Sequence, residues 1–129
     1  MPHISMEYSA NMEARTDMGA FCDHIRRVAI ETGTFPMPGI RVRAFKADHV
    51  SIADGQDKHG FIDISIRLRA GRPDAVKTAT AQAIFEAAKG FLEPAMAAHS
   101  IALSVEMRDI DPELSPKYGT IRDHLEDAT

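Results

Sequence analysis

Phe61-Ile62-Asp63-Ile64-Ser65-Ile66-Arg67-Leu68-Arg69 decides the fold. Apolar and polar residues alternate through it, so Ile62, Ile64, Ile66 and Leu68 share one face and Asp63, Ser65, Arg67 and Arg69 the other. Successive side chains of an extended chain point to opposite sides, so this stretch is a strand with one dry face and one charged face. Directly after it, Gly71-Arg72-Pro73-Asp74 opens a helix, with Pro73 expected at the first helical position, where its missing N–H costs little. The stripe Val76, Ala79, Ala83, Ile84, Ala87, Phe91, Leu92 and Met96 is expected to be the buried side of that helix. Pro94 removes a hydrogen bond and crowds the carbonyl of Gly90, so the last turns should kink or loosen. Residues 101–108 alternate again and close a strand–helix–strand unit.

The same order stands upstream. In residues 2–9, Ile4, Met6 and Tyr8 oppose His3, Ser5 and Glu7, which makes a half-buried strand. Residues 11–15 read as a polar connection. Thr16 or Asp17 can cap a helix through Met18, Phe21, Cys22, Ile25, Val28, Ala29 and Thr32, and Gly33 sits where a left-handed residue would end it. Phe35-Pro36-Met37-Pro38-Gly39 is a stiff linker, leading to a strand over residues 40–47. Residues 50–60 read as a connection turning at Asp54-Gly55, with a short hairpin as one form of it. Residues 111–116 are turn-rich, and residues 118–127 are a candidate short helix.

The two halves are offset by about 60 residues. One domain is expected, with pseudo-repeats at about 2–58 and 60–112 and a C-terminal tail at 113–129. The fold class is α/β (α+β): duplicated βαβ units forming a four-stranded mixed sheet, with two helices on one face. The other face carries Glu7, Arg41, Arg43, Asp63, Arg67, Arg69, Glu106 and Arg108. Either that face meets water, or it packs against copies of itself in a closed ring where mixed signs can pair.

Composition narrows the function. A chain of 129 residues builds one core. A net charge of −4 argues against non-specific nucleic-acid binding, although the arginines cluster enough to hold a small anion. Cys22 is the single cysteine, which excludes an internal disulfide and suits a reducing compartment. No run reads as a signal peptide or a membrane span, so a cytoplasmic protein without a membrane partner is expected. With no Trp, the core must come from Ile, Leu, Val, Met and Ala. Such a core buries modest area, and assembly into an oligomer would add stability. The six histidines show no ligand spacing, so no metal is expected.

The chain opens Met1-Pro2-His3-Ile4. If Met1 is removed, Pro2 becomes a rigid secondary amine, a base that nearby cations and a partly apolar pocket can bring toward neutral pKa. Arg41, Arg43 and Arg72 are the candidate cations. By themselves these features have ordinary explanations: a proline after the initiator permits methionine removal, an Arg pair on a strand is usually a solvated or ion-paired face, and Gly71-Arg72-Pro73 is first a helix start. Cys22 fits the helix stripe, and His3 points to the strand face opposite the apolar one.

In combination the residues resemble a known family. Pro2-His3, Thr32-Gly33-Thr34-Phe35-Pro36 leading to Gly39-Ile40-Arg41-Val42-Arg43, Ala53-Asp54-Gly55-Gln56, and Ala70-Gly71-Arg72 are similar, in order and over nearly the whole chain, to 5-carboxymethyl-2-hydroxymuconate Δ-isomerases of the tautomerase superfamily. The similarity is weakest after about Pro112. It implies a homotrimer with sheets around a central axis, active sites near subunit boundaries, Pro2 as catalytic base and no cofactor. It implies conversion of 5-carboxymethyl-2-hydroxymuconate to 5-oxopent-3-ene-1,2,5-tricarboxylate in homoprotocatechuate catabolism. By motif position Arg41 and Arg72 match the active-site arginines, with Arg43 as a second candidate for substrate binding. The second half begins without a free amine, so one site per chain is expected, with Pro2 from the first half and Arg72 from the second. Alternatives are a tautomerase of another 2-keto or enol acid, or a non-catalytic trimeric protein that binds small acids.

Overall fold

A computed structural model of the chain describes residues 2–126. Strand β1 (His3–Ser9) is followed by helix α1 (Met18–Glu31) and strand β2 (Arg41–Ala47). Strand β3 (His59–Arg69), helices α2 (Asp74–Phe91) and α3 (Glu93–Ala98) and strand β4 (Ser100–Ile110) complete the order. The sheet runs β2-β1-β3-β4. β1 pairs parallel with β2 and antiparallel with β3, and β3 pairs parallel with β4. This is the mixed four-stranded sheet expected from the alternation.

One face of the sheet is dry. Ile4, Met6, Ile62, Ile64, Ile66 and Leu68 are buried against Phe21, Ile25 and Ala29 of α1 and Ile84 and Ala88 of α2. Both helices therefore cover the same side. The opposite face stays polar, with cross-strand contacts such as Ser104 Oγ donating to Asp63 at 2.7 Å and Arg108 donating to Ser65 at 3.0 Å.

Several local expectations are met and several are corrected. Asp17 caps α1 by accepting from the Ala20 N–H at 3.0 Å, and Gly33 takes a φ of 71° beyond its end. Residues 11–15 do not form a plain polar connection: Ala10–Ala14 is a 3-10 turn that buries Met12. No strand forms within residues 51–58, so the Asp54-Gly55 turn closes a loop and not a hairpin. Pro73 is the N-cap of α2, one residue earlier than expected, with an extended ψ of 148°. Leu92 separates α2 from α3, whose second residue is Pro94; the helix breaks where the proline removes a donor. Residues 121–124 form a 3-10 turn in place of the expected short helix, and Asp127 lies outside the described residues.

The stripe expected for α2 puts Ile84 and Leu92 in the core, with Phe91 and Met96 packed against it, but its first half is rotated. Thr80, Ile84 and Ala88 are buried, whereas Val76, Ala79 and Ala83 are exposed. An alanine-rich helix has small apolar residues on every side, so hydrophobicity alone does not choose its inner face. A polar contact accompanies Ile84 and Ala88 on the buried face: Thr80 Oγ1 lies 2.6 Å from Thr34 Oγ1, on the linker after α1. Thr80→Val keeps the shape and leaves the Thr34 hydroxyl without its partner. It is expected to cost about 1–2 kcal/mol, read as a lower denaturation midpoint at unchanged slope.

Candidate active site

The end of the sheet where β1 begins and β3 finishes gathers the arginines. After Arg69 the chain turns through Gly71 at φ 119°, a conformation open to glycine and strained for other residues. That turn aims Arg72 back at the first half. Its Nε donates to the Thr34 carbonyl and its Nη1 to the Arg69 carbonyl, each at 3.1 Å. Its guanidinium carbon lies 6.0 Å from the centre of the buried Phe35 ring. The head group is thus oriented before any ligand arrives, with two of its five N–H donors committed to backbone. Arg41 opens β2, and its Nη1 donates to the Gly39 carbonyl at 3.0 Å, where the linker forms a 3-10 turn over Met37–Gly39.

Arg41 and Arg72 line one cavity of about 430 Å³, together with Arg69, Lys117 and Arg122. Pro36, Pro38 and Ile121 supply apolar wall, and no Asp or Glu is among its described lining residues. Five like charges around one cavity repel one another, and a multivalent anion would relieve that. A larger depression of about 660 Å³ lies between α2 and β4. Its Lys77 is already within 3.3 Å of both Asp74 and Asp109, so that depression is not built for an anion.

Pro2 immediately precedes β1, with its ring fully buried. His3 pairs with Arg41 of β2 and Arg67 of β3. Extending that register by one residue sets Pro2 beside Ile40 and Leu68, whose chain neighbours Arg41 and Arg69 line the cavity. Pro2 itself is not a lining residue, and Met1, whose removal the chemistry requires, lies outside the described residues. Burial of the ring would disfavour a charged nitrogen.

Arg43 goes elsewhere. Its Nη1 donates to His3 Nδ1 at 3.1 Å on the polar sheet face, away from the cavity lining. Burial, and then the charges of Arg43, Arg67 and Arg41, hold His3 below its usual pKa, consistent with a neutral ring accepting at Nδ1. The structure therefore brings Arg41 and Arg72 together around one cavity, sets Pro2 beside Ile40 and Leu68 by register, and places Arg43 against His3. It adds three cations that the sequence did not single out. Arg69 looked like one more member of a charged strand face, and Lys117 and Arg122 stand in a segment without periodicity. No motif or periodicity marks the last two.

Comparison with known proteins bears on the family and the fold. The profile of the 5-carboxymethyl-2-hydroxymuconate isomerase family matches residues 2–125. A 5-carboxymethyl-2-hydroxymuconate Delta-isomerase of Escherichia coli is 28% identical over 121 residues, covering 94% of this chain and 96% of that protein. A crystal structure of a 5-carboxymethyl-2-hydroxymuconate delta-isomerase superposes with a TM-score of 0.90 at 26% identity, covering 100% of this chain and 95% of that one. A wild-type fused 4-OT, a symmetric trimer, superposes at 0.66 with 23% identity over 90% of this chain and 93% of its own, and speaks for the fold alone.

Proposed function

This chain belongs to the 5-carboxymethyl-2-hydroxymuconate isomerase family, and from that membership we propose that it isomerises 5-carboxymethyl-2-hydroxymuconate with Pro2 as the base. The observation that carries the reading is the cavity where β2 begins and β3 ends, lined by five cations and no described carboxylate. A tricarboxylate is an anion of matching charge, and guanidinium groups offer it planar, charge-assisted hydrogen bonds without competing for its proton.

The reaction moves one proton and leaves the oxidation level unchanged. The neutral Pro2 amine takes a proton from the dienol, and the electron pair left behind spreads over the conjugated system as a dienolate. Arg72 and Arg41 face the oxygen that gains this charge and lower the barrier to forming it. The ammonium then returns its proton to a carbon further along, and the conjugated ketone 5-oxopent-3-ene-1,2,5-tricarboxylate results. A base with a pKa near working pH serves both halves of the cycle. Burial of the proline ring and the nearby guanidinium groups push the amine in that direction.

The uncovered polar sheet face and the exposed Phe45 (56%) and Leu114 (81%) favour a homotrimer, with one site per chain. A place in homoprotocatechuate breakdown and a cytoplasmic location follow from the same reading. Among the described residues no helix is long and apolar enough to cross a membrane.

The test is an ultraviolet assay of 5-carboxymethyl-2-hydroxymuconate on protein whose intact mass has been measured. Turnover by protein lacking one methionine residue is expected. Full turnover by protein that retains it, in which Pro2 is a tertiary amide without a basic lone pair, would refute the proline mechanism. Salt provides a second check. Screening shortens from about 10 Å at 0.1 M to about 3 Å at 1 M ionic strength, so KM should rise severalfold across that range while kcat changes little.

A further inference from the structure

We propose that the segment after β4 reads the number of carboxylates on the ligand: Lys117 and Arg122, working with Arg69, bind the carboxylates remote from the reacting diene. They thereby set a preference for tricarboxylic over dicarboxylic and monocarboxylic acids. This rests on reading the cavity as the substrate site.

The backbone delivers these residues to the cavity by a short route. Arg69 pairs with Ile110 at the end of the β3–β4 ladder, and the Ala70 N–H donates to the Ile110 carbonyl at 3.1 Å. The segment therefore starts beside Arg69. Asp111 turns it at once: its carboxylate accepts from the Glu113 N–H at 2.9 Å, and its carbonyl accepts from Ser115 Oγ at 2.6 Å. Pro116 then fixes its own φ just before Lys117. Arg122 sits in the 3-10 turn Ile121–His124, where the Asp123 N–H donates to the Thr120 carbonyl at 3.1 Å.

Two observations separate this from a charged segment that only happens to lie nearby. Lys117, Ile121 and Arg122 line the same cavity as Arg41 and Arg72, so basic and apolar contacts of the segment point to one space. Arg69 and Lys117 also line a smaller cavity of about 130 Å³ beside His3 and Arg67, so they stand on the partition between two cavities. Charge matching gives the segment its role. Arg41 and Arg72 can neutralise the carboxylate and enolate at the reacting end. A ligand with two further carboxylates needs further cations, and in a chain of net charge −4 these are supplied locally. Lysine suits such remote contacts, because a flexible point charge tolerates variation in carboxylate position.

The test uses the full chain carrying Lys117→Gln and Arg122→Gln, which remove the charge and leave an unbranched polar side chain at exposed positions. Binding of propane-1,2,3-tricarboxylate, glutarate and butyrate is measured calorimetrically at one fixed ionic strength. For two solvated ion pairs the tricarboxylate Kd should weaken about tenfold, glutarate by a smaller factor, and butyrate not at all. An equal loss for all three acids, an unchanged tricarboxylate Kd, or no tricarboxylate binding by the parent protein would overturn the proposal. Binding does not require proton transfer, so a failed isomerase assay with this ranking intact would count against the reaction and not against the carboxylate reading.

Discussion

Pro2→Ala is expected to lower kcat by about a hundredfold or more, the span that a positioned general base contributes, while the far-UV circular dichroism stays that of the parent. After methionine removal the variant still carries an amine, but a primary one on a freely rotating residue. The proline ring is fully buried, so in the parent its nitrogen is fixed by packing as well as by the ring itself. A displacement of about 1 Å of a reacting group can cost about a hundredfold in rate. Alanine gives up that placement along with the ring's basicity. A kcat within threefold of the parent would mean that another group moves the proton.

Arg72→Ala is expected to reduce kcat/KM by about a hundred- to a thousandfold, the range for loss of one preorganised donor to a developing oxyanion. On the proposed mechanism one guanidinium both holds the substrate and stabilises the dienolate, so KM should rise and kcat fall together. Arg72→Lys should recover only part of the loss. Lysine cannot reproduce the fork that reaches the Thr34 and Arg69 carbonyls together. Removing a cation near the amine also raises its pKa. The acidic limb of the pH–kcat/KM profile in Arg72→Ala should therefore move to higher pH. A parent-like kcat/KM would assign Arg72 to structure alone.

The sheet was legible because its signal is local. Ile62, Ile64, Ile66 and Leu68 alternate with polar partners along β3, and all four are buried. The first helix was equally clear, since Phe21, Ile25 and Ala29 recur at spacing four between an Asp cap and a glycine stop. The second helix was oriented in its second half, where Ile84 and Leu92 are buried, and misplaced in its first half, where alanines surround it and Thr80 turns inward to meet Thr34 across 46 residues. Family motifs picked out Arg41 and Arg72, which line one cavity, and the structure engages Arg43 with His3. Lys117 and Arg122 were not legible as site residues. Their role depends on how an aperiodic segment folds back past Arg69, and that is a property of the turn at Asp111 and not of residue pattern.

The most direct measurement is a 15N NMR titration of the amino-terminal nitrogen in protein labelled with 15N-proline. A single titrating proline nitrogen is expected, with a pKa below the ordinary α-amine range of about 7.7–8.0, rising in Arg72→Ala. A proline nitrogen that does not titrate in the active enzyme, or one that titrates at or above that range and ignores Arg72, would contradict the account.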